Sequence, residues 1–100
     1  MVQISSYPKL NATIFELPCF DRRKSFYGKA QVVQTNEGQY LRSYDTYVCF
    51  LGNNHNFVKL WDGYSATTMR HINSFMQYCS LPYGGKSWWD KLEVDKKYAL

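Results

Sequence analysis

Thr67 and His71 stand four residues apart in WDGYSATTMRHINSF, residues 61–75, and side chains at that spacing touch on a helix surface. A hydroxyl beside an imidazole is the smallest unit that pairs a nucleophile with its general base. Such chemistry also needs an acid to orient the ring and a cleft that excludes water. Asp62 is the nearby carboxylate, and the Asp62-Gly63 pair reads first as the turn between a strand and the helix. His71 falls on the outer row of that helix, which is convex and wet. The sequence therefore predicts no catalytic residue and a chain that is not an enzyme.

Two other chemistries have residues to support them. Arg22, Arg23, Lys24 and Lys29 form the most basic stretch, CFDRRKSFYGK, with Phe26 and Tyr27 between them. Cations that neutralise phosphates beside aromatics that stack on bases are the equipment of single-strand nucleic-acid binders. The competing reading is a solvated connection whose aromatics enter the core. Tyr64, Thr67, Arg70, His71 and Trp89 make a candidate protein-contact patch, because Tyr, Trp and Arg carry much of the energy at interfaces. Against it, Tyr64 and Trp89 can instead cover helix ends. A homodimer through this patch or a sheet edge stays open. Metal ligation has little to draw on: there are two histidines, one in a turn and one on the helix, and no C-x-x-C pair among three cysteines. No metal, cofactor or disulfide framework is expected, and Cys19, Cys49 and Cys79 read as small buried hydrophobes.

Something must position these groups. At 100 residues with 18% aromatics, the chain is expected to be one domain, 1–100, with an ordered core over 11–95 and frayed ends at 1–8 and 95–100. Twelve Lys and Arg against eight Asp and Glu give +4, which favours anionic partners and speaks against a mimic of DNA. No secretory leader and no apolar run near ~20 residues is visible, so a soluble cytoplasmic protein is expected, with no membrane partner.

Strands are expected over NATIFELP, 11–18, and KAQVVQT, 29–35, the latter followed by an Asn-Glu-Gly hairpin connection. The alternation in QYLRSYDTYVCFL, 39–51, reads as one long central strand, and FVKLW, 57–61, pairs back after the GNNHN turn. Ser65 is placed to cap a helix whose stripe is Met69, Ile72, Met76 and Cys79, with Thr67, His71, Ser74 and Tyr78 on the opposite row. Ser87 is placed to cap a short helix holding Trp88, Trp89 and Leu92. The prediction is an α+β domain: an antiparallel meander of three to five strands, one amphipathic helix on one face, and a short C-terminal helix.

Three stretches, DRRKSFYGKAQVV, RSYDTYVCFL and WDGYSATTMRHINSF, resemble an uncharacterised family of small proteins from Gram-positive bacteria, their phages and mobile elements. Its blocks run D-x-R-K-S-F-Y-x-K-A, S-Y-x-T-x-V and Y/W-S-x-T-T-x-x-H-I, and the resemblance extends from about Phe15 to Val94. Arg22, where a small polar residue is expected, and the enlarged GNNHN turn depart from it. The resemblance implies a setting among compact accessory proteins, some of which block host defence nucleases. The expected function is thus a non-catalytic intracellular binding protein that occupies a host protein or nucleoprotein complex handling nucleic acid. The alternative is direct DNA or RNA binding through Arg22, Arg23, Lys24, Tyr27 and Lys29.

Overall fold

The computed structural model describes residues 12–20, 26 and 28–95. Five strands lie in the order of the sequence, each antiparallel to the next: β1 Thr13–Glu16, β2 Ala30–Gln34, β3 Gly38–Ser43, β4 Thr46–Gly52 and β5 Phe57–Lys59. Two helices follow, α1 Ala66–Tyr78 and α2 Gly85–Lys91. This is the α+β meander expected from the patterning. The fraying expected of 1–8 and 96–100 falls outside the described residues, while Asp95 is held by its amide donating to the Lys59 carbonyl at 2.9 Å.

Short-range chemistry explains most boundaries. Val32 and Val33 point to opposite faces of β2 and both are fully buried, which marks an inner strand. The β2–β3 hairpin closes at Gly38, whose φ of 153° excludes most side chains. In the 52–56 turn it is His55, at φ 64°, that takes the left-handed conformation.

The stretch 39–51 is two strands, where one was expected. Tyr44 and Asp45 form a two-residue turn, with Ser43 paired to Thr46 across it. Tyr44 sits at φ 53°, a region where a side chain costs about 1–2 kcal/mol. Arg42 offsets part of this by donating to Asp45 and to Gln31, both at 3.1 Å. A register shift between Leu41 and Arg42 leaves an extra residue on β4, so Val48 and Cys49 both join the helix-side core.

α1 begins as expected: Ser65 Oγ accepts from the Thr68 amide at 3.0 Å. It ends in a Schellman arrangement, with Leu81 N–H donating to Met76 O at 2.8 Å and Ser80 N–H to Gln77 O at 3.0 Å. Ser80 takes the left-handed position, φ 59°, that glycine usually fills. Ser80→Gly is therefore expected to stabilise by about 0.5–1 kcal/mol, the relieved strain outweighing glycine's added unfolded-state entropy. A higher urea midpoint with unchanged slope would be the readout; a lower one would contradict the geometry.

α2 starts at Gly85 behind a Gly84 cap, so Ser87, expected as the cap, lies inside the helix. Its last carbonyls are closed from the sheet: Lys59 Nζ donates to Trp89 O at 2.9 Å and Leu92 O at 3.2 Å. Both helices pack on one face of the sheet, over a core that includes Leu41, Leu51, Ile72, Phe75 and Trp89. The other face carries a second cluster of Val33, Tyr40, Phe50, Val58 and Leu60.

Candidate functional site

The main polar arrangement between helix and sheet is built by Ser43, Thr68 and His71. Ser43 is the last residue of β3 and points toward α1; Thr68 and His71, one turn apart on α1, point back. Ser43 Oγ lies 2.8 Å from His71 Nδ1 and 3.1 Å from Thr68 Oγ1. Ser43 has one hydroxyl proton, which can serve only one of these contacts, so at least one of the other two groups donates to Ser43 Oγ. Phe26 stands edge-on to the imidazole with centroids 4.7 Å apart, and the Arg70 guanidinium lies 5.3 Å above the Phe26 ring. The Tyr44 ring is 5.8 Å from His71 on the side of the β3–β4 turn.

This placement corrects the expectation for His71, which is 1% exposed instead of standing on the outer row. Ser74, expected outside, is buried as well. The outer line of α1 is Ala66, Arg70, Asn73 and Gln77, one residue round from the row the sequence suggested. A shift of one residue is about 100° on a helix. The buried arc is wide because α1 packs against the sheet, Phe26 and α2 at once. Of the expected inward stripe, Met69, Ile72 and Met76 are buried and Cys79 is half-buried.

The contact patch is corrected in the same way. Trp89 is wholly buried, its Nε1 donating to Gly63 O at 3.1 Å, whereas Trp88 is half-buried and stacks on Phe57. Tyr64 is exposed, with the Lys86 ammonium 5.2 Å over its ring; Thr67 and Arg70 are half-buried. Among the basic candidates Lys29 is exposed, while Arg22, Arg23, Lys24 and Tyr27 lie outside the described residues. Phe26 is 3% exposed and belongs to the core, so it is no stacking platform. Sequence reading missed a different aromatic on the surface. Tyr44 is 49% exposed, and its amide donates to the Lys29 carbonyl at 2.7 Å. Its only signal was the S-Y-D-T step, which the alternation of the flanking residues masked.

A hydroxyl hydrogen-bonded to an imidazole at 2.8 Å is the pairing that activates a nucleophile. Here Ser43 is 3% exposed and His71 1%, so the contact ties α1 to β3 beneath the surface. Ser43→Ala is expected to cost about 1–3 kcal/mol, since it strands two buried polar groups at once. Adding Thr68→Val to Ser43→Ala should cost less than the two single losses summed, a coupling readable in a double-mutant cycle by urea denaturation. Strict additivity would contradict the hydrogen-bonded chain.

Other reactive groups are muted. Burial pushes the Cys49 thiol well above its usual range, with Cys79 adding to the shift, and burial pushes the Cys79 thiol up to about 11. Both are protonated thiols at neutral pH. Among the described residues no three His, Cys, Asp or Glu side chains converge as metal ligands, and no helix is long and apolar enough to cross a membrane.

The site draws its members from all three sequence blocks: Phe26 and Lys29 from the first, Ser43 and Tyr44 from the second, Thr68 and His71 from the third. A family model matches residues 15–91. The chain belongs to DUF8033, a family of unknown function. The DUF8033 match begins inside β1 and ends on the last residue of α2, so it spans the sheet, both helices and the buried Ser43–His71 tie. No curated protein and no solved structure matches the chain.

Proposed function

We propose that this DUF8033 chain is a non-catalytic binding domain, and that its contact surface surrounds the Tyr44 turn. The observation that carries this reading is the exposed Tyr44 ring on a left-handed turn, buttressed by the sealed His71 and held by its amide donating to the Lys29 carbonyl. Backbone strain held in place by a surrounding hydrogen-bonded framework is a recurrent feature of recognition sites. A tyrosine held on a fixed turn has the make-up of an interface anchor. The resemblance to phage and mobile-element proteins supplies the setting: a small accessory protein of a bacterial cytoplasm that blocks or modulates a host complex handling nucleic acid by occupying its surface. Capture from a Gram-positive host lysate tests this. A defined protein partner should be retained by the wild-type chain and lost with Tyr44→Ala and Arg70→Ala, both leaving the fold intact by circular dichroism. Retention of bulk nucleic acid alone would refute it.

One observation favours a second reading, direct binding of DNA or RNA. Lys29, the described cation of the basic segment, accepts through its carbonyl from the amide of Tyr44, an exposed aromatic. Oligonucleotide affinity is then expected to fall ten-fold or more between roughly 50 and 200 mM salt, and to vanish on charge reversal at Arg22 and Arg23. Tyr44→Ala should weaken binding by about 1–3 kcal/mol through lost stacking. Salt-independent binding, or none, eliminates this reading.

A further inference from the structure

β1 stands at one end of the sheet and β5 at the other, and the two edges are finished differently. The chain closes β5 itself: Val94 bridges Lys59 in parallel, the Asp95 amide donates to the Lys59 carbonyl at 2.9 Å, and Val58 and Lys59 are buried. Among the described residues β1 pairs only with β2, and its Thr13, Ile14 and Glu16 are exposed. Edges guarded against further pairing carry lysine, proline or a bulge. Thr13–Glu16 has none of these, and its four pairs with β2 run without a break in register. Its apolar side chain Ile14 is 44% exposed.

The phase of the ladder decides which backbone groups this edge offers. Leu17 N–H donates to Ala30 O at 2.9 Å, which makes Leu17 and Ala30 a hydrogen-bonded pair. Such pairs alternate along an antiparallel ladder, so Thr13 and Phe15 turn their N–H and C=O toward β2. Ile14 and Glu16 turn theirs outward, a template for one more strand. The strand that fits must bring an apolar residue to Ile14 and keep carboxylates away from Glu16. β1 of a second copy does both when it runs antiparallel about a twofold axis at Ile14, where Ile14 opposes itself and Glu16 opposes Ala12. An axis at Phe15 would set each Glu16 against an isoleucine. An axis at Glu16 would oppose two carboxylates and place Ile14 against Pro18, which has no N–H to give. Ala12 packs on the second cluster and Ile14 opposes Val33 within it, so the Ile14 axis also makes that apolar layer continuous from one copy to the next.

We propose that β1 is a self-association edge, through which two copies of this chain pair antiparallel about Ile14 and join their five-stranded sheets into one. A single short strand buries less than the roughly 1,200 Å² of a standard interface, so the dimer is reversible and forms at high concentration. Each chain carries +4, and salt that screens this repulsion tightens the pair. Nucleic-acid binding would respond to salt in the opposite sense.

Sedimentation velocity of the full chain should show monomer giving way to dimer between about 1 and 500 μM. Ile14→Lys sets two cations on the axis at an exposed position, and should stay monomeric over that range with an unchanged circular dichroism spectrum. A monomer at every concentration, or a dimer that Ile14→Lys leaves intact, would overturn the proposal. Hydrogen exchange on the unaltered chain tests the same edge without any variant. The Ile14 and Glu16 amides should exchange about ten-fold more slowly at the high concentration, while those of Phe15 and Leu17, bonded to β2, stay slow at both. Ile14 and Glu16 amides already slow in the dilute monomer would mean that the chain covers its own edge, and would overturn the pairing as well.

Discussion

Gly38→Ala is expected to cost about 4 kcal/mol of the domain's stability, while Gly28→Ala, also at positive φ, costs about 1 kcal/mol. A methyl built on Gly38 would sit 2.2 Å from Leu51 O, 2.8 Å from Gly52 Cα and 2.9 Å from a Phe50 ring carbon. Two of those three are backbone atoms of β4. They cannot swing aside as a side chain would, because Gly38 pairs with Gly52 and Gln39 with Leu51 in the same ladder. Relief requires the first pairs of the β3–β4 hairpin to open, which also disturbs Phe50 in the second cluster. Gly28, at φ 78°, has nothing within 4 Å of the same added methyl, so it isolates backbone strain from collision. With strain at ~1–3 kcal/mol and the collision adding at least as much, the Gly38 loss is on the order of 4 kcal/mol. A domain with about 5–15 kcal/mol in all would then melt some 15–30 °C lower. Thermal melts by circular dichroism check this, and equal losses at the two glycines would show that the hairpin yields.

The meander, the Ser65 cap and the Met69–Ile72–Met76 stripe could be read from the sequence because each rests on short-range chemistry: period-two alternation, a hydroxyl before a helix, and three- and four-residue steps. The Tyr44–Asp45 turn could not. Turns announce themselves through Gly, Asn or Pro, and here a tyrosine takes the left-handed position while alternating residues run on either side of it. His71 was misplaced for a different reason. A single stripe defines the centre of a helix's buried arc but not its width, and the width depends on Phe26 and α2, which reach α1 only through the tertiary fold. The burial of Lys59 is invisible to any pattern: within FVKLW it occupies what reads as the polar position of a strand, and its partners are backbone carbonyls of a helix thirty residues on. The candidate site inherits these limits, since its exposed member is the turn tyrosine and its buried members are the histidine and serine that patterning assigned to water or to the middle of a strand.

Trp89→Ala is expected to cost about 3–5 kcal/mol, and Trp88→Ala distinctly less, although the two are neighbours on a seven-residue helix. Trp89 is 0% exposed in the helix-side core, whereas Trp88 lies half-buried on Phe57 beside an open cleft of about 190 Å³ that its loss would merely widen. Removing the Trp89 ring does more than leave a void. Its Nε1–H is the donor to Gly63 O, where the chain enters α1, and its face lies 4.8 Å from the Lys59 ammonium. That ammonium is nearly enclosed, with Asp62 at 3.6 Å and the Trp89 and Leu92 carbonyls as its other partners. Loss of the indole would let water reach the charge, which repays part of the cost, so Lys59→Met should be less damaging in the Trp89→Ala background than alone. Chemical denaturation of both single variants and the double variant measures this coupling, expected at roughly 0.5–2 kcal/mol, the range of a partly desolvated cation over an aromatic face. Additive losses would mean that the lysine answers only to the carbonyls, and a Trp88→Ala cost equal to that of Trp89→Ala would mean that α2 is seated on its other face.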